Sequence, residues 1–455
     1  MRATPRRSPI DSADALGTRP IGRLLWYACS QTTLSVGVYG VYALSNAWFV
    51  ARGVGEEALA AVNLVAPVLL LLGAISTTVG VGGASLVSRA LGAGRPDAAA
   101  RAASASFLIF WAVALLVTVV GLAAIDPLLG LLGATDATFA DAHDYAVVIL
   151  AGSVLATGFS AIVRAEGRML FSTLLWVIPV LVQLTLDPLL IFGAGMGVTG
   201  AALGTVGGQA VSAGMALWFF FAQRDRPYRI GIAALRPDPR VSAAVLAIGA
   251  PSFLAGFGAT VLVVLVNANL AALAAGAGVT LAAYAVASRV QTFLSMPQLG
   301  ITQGVQPIVG YNAGRGLTGR VARTLTLSLR ATVLYGIAAA AIVLLAAPVV
   351  VGWFVSEPDT VAVSTTALRL VAIGLVFSGV PPLVSGFFQA LGRARPSYLI
   401  SIGTLVAIKI PLVAVLGIWS PLGIWVALPL GELLAAMTAL VVLRHGTRED
   451  RRDDR

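Results

Sequence analysis

The chain has 455 residues, of which 58% are hydrophobic and 11% charged, with a formal net charge of +10. Soluble domains average about 45–50% apolar and about 25% charged residues, so a soluble enzyme, a nucleic-acid binder and a disordered scaffold are all excluded. At about 20 residues per membrane-spanning helix, the apolar content suffices for about twelve spans, and the chain reads as an all-α polytopic membrane protein.

The first 22 residues carry Arg2, Arg6, Arg7 and Arg19 among Pro and Ser, and lack a cleavable apolar stretch. They are expected to be an irregular cytoplasmic tail. Hydropathy and helix breakers then predict six spans, at 24–50, 58–88, 104–131, 144–163, 171–193 and 198–222. An arginine-rich linker over 223–241 follows. Six more spans are predicted at 243–270, 279–309, 328–354, 364–390, 397–417 and 421–443, and residues 444–455 are expected to be a second irregular tail. No stretch shows the alternating pattern of a transmembrane strand.

Of the 30 basic residues, 26 fall in the two tails and in the loops after even-numbered spans or the span start that adjoins one (Arg330), one (Arg52) on the opposite side, and three (Arg289, Arg369, Lys409) deep inside spans. The opposite loops and the span ends that adjoin them carry Glu56, Glu57, Asp126, Asp136, Asp141, Asp144, Glu357 and Asp359. Basic loops stay in the cytoplasm, so both termini are expected there, in the inner (plasma) membrane. The positive charge is thus a topology signal and a contact for anionic lipid, with no nucleic-acid partner implied.

Cys29 is the one cysteine, so neither an intrachain disulfide nor a Cys-based metal site is available, and His143 and His445 lie in polar stretches. Lys409 is the one lysine, so no phosphate-binding GxxxxGK[ST] loop exists and ATP is not an expected partner. No cofactor and no enzymatic activity are expected.

The two halves match at an offset of about 220 residues. Gly92-Ala93-Gly94-Arg95 aligns with Asn312-Ala313-Gly314-Arg315, and Ala165-Glu166-Gly167-Arg168 with Ala390-Leu391-Gly392-Arg393. Pro188, Gly200 and Gln209 fall opposite Pro411, Gly423 and Glu432. An even-numbered repeat keeps its orientation, so two six-helix lobes, 23–222 and 242–443, are expected about a pseudo-two-fold axis along the membrane normal.

Ionisable groups inside spans are costly and therefore candidates for function. Asp187 stands about six residues from the outward end of its span, roughly 9 Å deep at 1.5 Å per residue. Gln183 lies one turn earlier on the same face, while Thr205 on the returning span and Asn46 on the first span reach the same layer. Oxygen-bearing groups converging there suit a proton or a small cation. A purely structural role for Asp187, capping the Pro188 kink, is the alternative. Lys409 and Glu432, about 8 and 11 residues from one outward turn, form a candidate ion pair. Tyr39, Tyr42, Asn63, Tyr284, Gln291 and Gln303 are candidate lining residues of a substrate cavity, since aromatic walls with sparse amides suit amphipathic cations.

The motifs together resemble the multidrug and toxic compound extrusion (MATE) family over roughly residues 20–443. The resemblance rests on Phe49-Val50 through Gly53-Val54-Gly55, Gly80-Val81-Gly82-Gly83-Ala84-Ser85, Arg164-Ala165-Glu166-Gly167, Leu186-Asp187-Pro188, Ile191-Phe192-Gly193, Gln303-Gly304-Val305-Gln306-Pro307 and Tyr311-Asn312-Ala313-Gly314. It implies a two-lobed antiporter, expected as a monomer, that exports small amphipathic compounds against inward proton or sodium flow. In related members Asp stands at the position of Asn46 and Asn at that of Gln183. With one carboxylate in the layer, protons are favoured over sodium. A lipid-linked oligosaccharide flippase of the same broad superfamily is the alternative function, disfavoured by the scarcity of basic residues within the spans.

Overall fold

The structure is a computed structural model that describes residues 11–155, 159–230, 237–272, 277–418 and 420–453. All its regular secondary structure is helical, with no strand among the described residues. Residues 1–10 of the tail, with Arg2, Arg6 and Arg7, lie outside the described residues, as do 231–236 of the linker, with Arg236.

Among the described residues, eleven segments are long and apolar enough to cross a membrane. The remaining long helix is α11 (Ala277–Gly314), whose 38 residues include Arg289, Gln291, Gln298, Gln303, Gln306 and Asn312. Those side chains lower its hydropathy without interrupting it. The twelve-span expectation therefore holds, and α11 carries the most amides because its polar face has partners to serve. The long helices overrun the predicted bounds: α3 spans Glu56–Gly92 and α12 Thr318–Gly352. At 1.5 Å per residue, 37 residues make roughly 55 Å, well beyond the hydrocarbon layer.

Three expectations are corrected. The third span ends at Ala123 of α4 (Pro96–Ala123), and α5 (Ile125–Leu132) is a separate short helix. Pro127 sits in the first turn of α5, where its missing N–H leaves nothing unsatisfied, and Gly133 ends the helix at φ 91°. The N-terminal tail is not irregular throughout: Ala13–Thr18 forms α1, with Ala15 and Leu16 fully buried. The C-terminal tail continues α18 (Pro421–Asp453) rather than leaving it.

The chain divides into two compact units. The first comprises Met1–Arg19, Leu34–Gly249 and Gly310–Leu317. It includes the outer part of α2 (Ile21–Gly53), α3 to α5, α6 (Asp136–Gly152), α7 (Ser160–Ala165), α8 (Met169–Pro188) and α9 (Gly197–Leu217). One core cluster gathers Phe107, Phe110, Phe159, Phe219 and Phe220, and Phe107 and Phe159 approach to 4.1 Å between centroids. A second packs Val50, Val65, Tyr145, Ile149 and Ile191. Two glycines let helices touch: a Cβ at Gly82 or Gly249 would strike the backbone of Val245 or Thr78. That close approach is what brings α3 against the start of α10 (Pro239–Ala272), as small residues do in apolar surroundings.

The second unit comprises Pro20–Thr33, Ala250–Val309 and Thr318–Arg455. Its core centres on Val343, Leu368, Val371 and Trp425, with Tyr284 stacked on Trp425 at 6.2 Å. Its tenth span is broken into α13 (Pro358–Ile373), α14 (Leu375–Ser378) and α15 (Val380–Ala390) at Gly374 and Gly379. Breaks inside a membrane need new partners for the freed backbone. Gln298 supplies one, donating Nε2 to the Leu375 carbonyl at 2.9 Å and accepting from Ser378 Oγ at 2.9 Å. Residues that line the outside, such as Leu131, Leu345 and Trp26, are large, apolar and exposed, as a lipid-facing surface requires.

Candidate functional site

The layer around Asp187 lies wholly within the first unit. Asp187 precedes Pro188 at the end of α8, and the helix widens into a π-helical turn over Leu189–Gly193 before the reversal into α9. Proline cannot donate to the preceding turn, so the backbone is already loosened where the acid stands. Asp187 has no accessible surface. Its Oδ2 accepts from Asn46 Nδ2 at 3.4 Å and from Gln183 Nε2 at 3.3 Å. The second hydrogen of the Gln183 amide goes to Thr205 Oγ1 at 3.2 Å. The four side chains expected to share a layer are thus brought together, and Tyr42 and Tyr145 stand within interaction range of Thr205 and Asp187. Tyr145 has no distinguishing sequence pattern and was not anticipated.

Oδ1 of Asp187 is buried without a hydrogen-bond partner. It occupies the space where a Cβ would stand on Gly204 of α9. Gly208, one turn further, meets the Pro179 carbonyl, and Gly200, one turn earlier, meets the Leu190 backbone. The signal that reveals this contact is Gly200-x-x-x-Gly204-x-x-x-Gly208, a glycine stripe of period four along one face of α9. It escapes notice among 49 glycines because each alone is unremarkable in so glycine-rich a chain.

The chemistry of this pocket follows from its atoms. An ionised carboxylate in a membrane interior is expensive, and an orphaned buried oxygen adds a desolvation penalty. Protonation of Asp187 removes the charge, and because Oδ2 already accepts two N–H bonds the proton belongs on Oδ1. Around Oδ2 the neighbours present N–H groups, which stabilise a carboxylate but repel a metal cation. Hard cations need a cage of oxygens.

The candidate cavity residues fall in both units. In the first, Tyr39 stacks on Tyr42 at 5.5 Å and meets Trp176 edge-on at 5.9 Å, and Asn63 is exposed. In the second, Tyr284 is buried in the core, and Gln291 and Gln303 are partly buried on α11. Lys409 and Glu432 pair directly, Nζ to Oε1 at 2.6 Å.

At the end of the first unit away from Asp187, Glu166 and Arg226 form a buried bidentate pair, with Nε to Oε2 at 3.1 Å. The guanidinium is boxed by the rings of Phe219, Phe220 and Tyr228 at 4.9, 4.6 and 4.6 Å. Burial alone would lower the Arg226 pKa, and the Glu166 carboxylate outweighs it and holds the group above its ordinary value.

Comparison with known proteins decides the family. The profile of the MatE family matches residues 33–189 and 251–415, one block in each half. The chain belongs to the MatE family. MatE relatives include the multidrug export protein MepA of Staphylococcus haemolyticus (strain JCSC1435), 26% identical over 411 residues and covering 89% of both chains. MepA of Staphylococcus aureus (strain MSSA476) is 28% identical over 422 residues, covering 90% of both. Among solved structures, a MATE protein in a bent conformation aligns with a TM-score of 0.90 at 23% identity, covering 97% of this chain and 99% of its own. An outward-facing multidrug resistance MATE transporter aligns at 0.89, 23% identical, covering 96% and 98%. These likenesses establish the MatE fold for this chain, a multi-pass membrane protein.

Proposed function

We propose that this MatE chain is a secondary multidrug exporter that expels small amphipathic, often cationic compounds in exchange for protons, by alternating access. It acts as a monomer in the plasma membrane with both termini in the cytoplasm, and needs neither ATP nor a bound cofactor. The observation that carries the reading is Asp187: a fully buried acid with one orphaned oxygen and two amide donors on the other. Such a group is stable protonated and, once hydrated in an open state, stable ionised. That alternation is what a proton-coupled cycle requires. The export function of the MepA relatives supports the substrate class. Sodium coupling is disfavoured because Asn46 and Gln183 present hydrogens to the carboxylate rather than oxygens to an ion.

The test is purified protein in proteoliposomes loaded with an amphipathic cationic dye, with proton and sodium gradients imposed separately. Dye movement driven by the proton gradient alone is expected. Movement driven only by sodium would overturn the coupling assignment, and movement with neither would overturn the function.

A further inference from the structure

The hairpin that holds Asp187 in the first unit has its counterpart in the second, where Pro411, Gly423 and Glu432 stand opposite Pro188, Gly200 and Gln209 at an offset of 223. On that offset Asp187 matches Ile410, next to Lys409. In place of a lone acid, the second unit therefore carries a charge pair on the equivalent pair of helices. The backbone leading to it is unusual. The eleventh span changes from α16 (Ala394–Tyr398) to π-helical turns over Leu399–Gly403 and Leu405–Lys409, and only then enters α17 (Ile410–Gly417). Wide turns of this kind are rare and concentrate at functional sites.

The pair is held on both flanks by glycines: the Cβ position of Gly431 lies 3.4 Å from Lys409 Cγ, and that of Gly374 lies 3.5 Å from Glu432 Cγ. Gly374 is also where the tenth span breaks. The two charged ends are not sealed, with side chains 21% and 15% exposed. They make one hydrogen bond between them, Nζ to Oε1. A lysine offers three donors and a carboxylate about four acceptor sites. Structural ion pairs inside apolar surroundings are stable when the remaining capacity is filled by further partners. Here it is left open toward the exposed edge.

From this geometry we infer that Lys409 and Glu432 form a binding site for zwitterionic amphiphiles, molecules with a cationic amine and a carboxylate on one apolar body. The inference rests on the export reading above and adds a substrate class and a site to it. Charge arithmetic selects the class. A simple cation that takes Glu432 strands Lys409, and a simple anion that takes Lys409 strands Glu432. Either leaves an unpaired charge within the membrane span, which is strongly disfavoured. A ligand with both charges opens the pair and leaves neither side chain alone.

The experiment measures binding to the full-length protein in detergent, by fluorescence polarisation, with no gradient. The probes are a xanthene dye bearing a cationic ring system and a free carboxylate, and its methyl ester, which keeps the cation and loses the anion. The wild type is expected to bind the zwitterion about tenfold more tightly than the ester, the effect of one charge-assisted contact. Lys409→Met should abolish that preference, and the cationic ester, which no longer strands a lysine when it takes Glu432, should bind more tightly than it does to wild type. Because Lys409→Met leaves Glu432 unpaired, the neutral double variant Lys409→Met with Glu432→Gln is made as well, and it too should bind both dyes alike. The exchanged variant, Lys409→Glu with Glu432→Lys, should regain the preference. A neutral double variant that keeps the wild-type ratio would overturn the inference. So would loss of ester binding in both the neutral and the exchanged variants, which would assign the pair to holding the fold. Failure of the export reading would show instead as dye binding without gradient-driven movement in proteoliposomes.

Discussion

Replacing Gly204 by alanine tests whether the contact between α9 and Asp187 builds the site. The added methyl would fall on Asp187 Oδ1, and stand 3.2 Å from Asp187 Cγ and 3.4 Å from its backbone nitrogen. The carboxyl group is short and held by Asn46 and Gln183, so it must rotate away and give up both hydrogen bonds. Overpacking of this kind costs about 1–3 kcal/mol, and two lost hydrogen bonds add about 1 kcal/mol each. The expected total of about 3–5 kcal/mol is large against a protein's net stability. Gly214 on the same helix is the control, because a Cβ there meets nothing within 4 Å. Gly214→Ala should be neutral or stabilising by up to about 1 kcal/mol, through helix propensity. Thermal unfolding in detergent, followed by tryptophan fluorescence, reads stability, and proton-driven dye efflux reads function. Gly204→Ala should melt below wild type and lose most efflux while Gly214→Ala keeps both. If Gly204→Ala transports and melts like Gly214→Ala, the packing argument is refuted.

Three further outcomes are expected. Glu166→Gln should lower the melting temperature sharply, since removing one member of a buried ion pair costs about 3–5 kcal/mol, and combining it with Arg226→Met should recover part of the loss; melting of the two variants checks this. Asn312→Ala removes the 2.9 Å bond from Nδ2 to the Leu16 carbonyl and should free α1 at a cost of about 1 kcal/mol, read as faster amide hydrogen exchange over 13–18. Cysteines placed at Arg95, Arg168 or Arg320 should be labelled from the cytoplasm and those at Glu57, Asp136 or Glu357 from outside, and labelling of Asp136 and Arg95 positions from one side would contradict the twelve-span order.

Hydropathy located the long helices, and arginine placement orders the loops, because both are properties of single residues summed over long stretches. The span boundaries were less legible where tertiary partners decide them. Within 104–131 the stop at Ala123 is marked by Asp126-Pro127 alone, three residues further on, since Ala124 and Ile125 are as apolar as their neighbours. The docking of α1 depends on Asn312 and Tyr311, almost 300 positions away, so local composition shows only a polar tail. The Asp187 layer was legible because Gln183 lies one helical turn away and the 5–6 hairpin sets the depth of Thr205. The orphaned Oδ1 was not, since it depends on how closely Gly204 lets two helices approach. The Lys409–Glu432 contact followed the same hairpin logic, whereas the π-helical turns beside it leave no compositional trace.

The most direct test of proton carriage is Asp187→Asn, studied in detergent and in proteoliposomes. Asparagine keeps the volume and mimics the neutral acid, so the variant should bind a cationic amphipathic dye with one pH-independent affinity between about 5 and 8, equal to the weaker affinity wild type shows at the acid end. Wild type should bind more weakly as pH falls, because protonation of the carboxyl group favours release of the cation. Under an imposed proton gradient the variant should move no dye. Intact gradient-driven efflux by a normally folded Asp187→Asn protein, with wild-type pH dependence, would contradict the account.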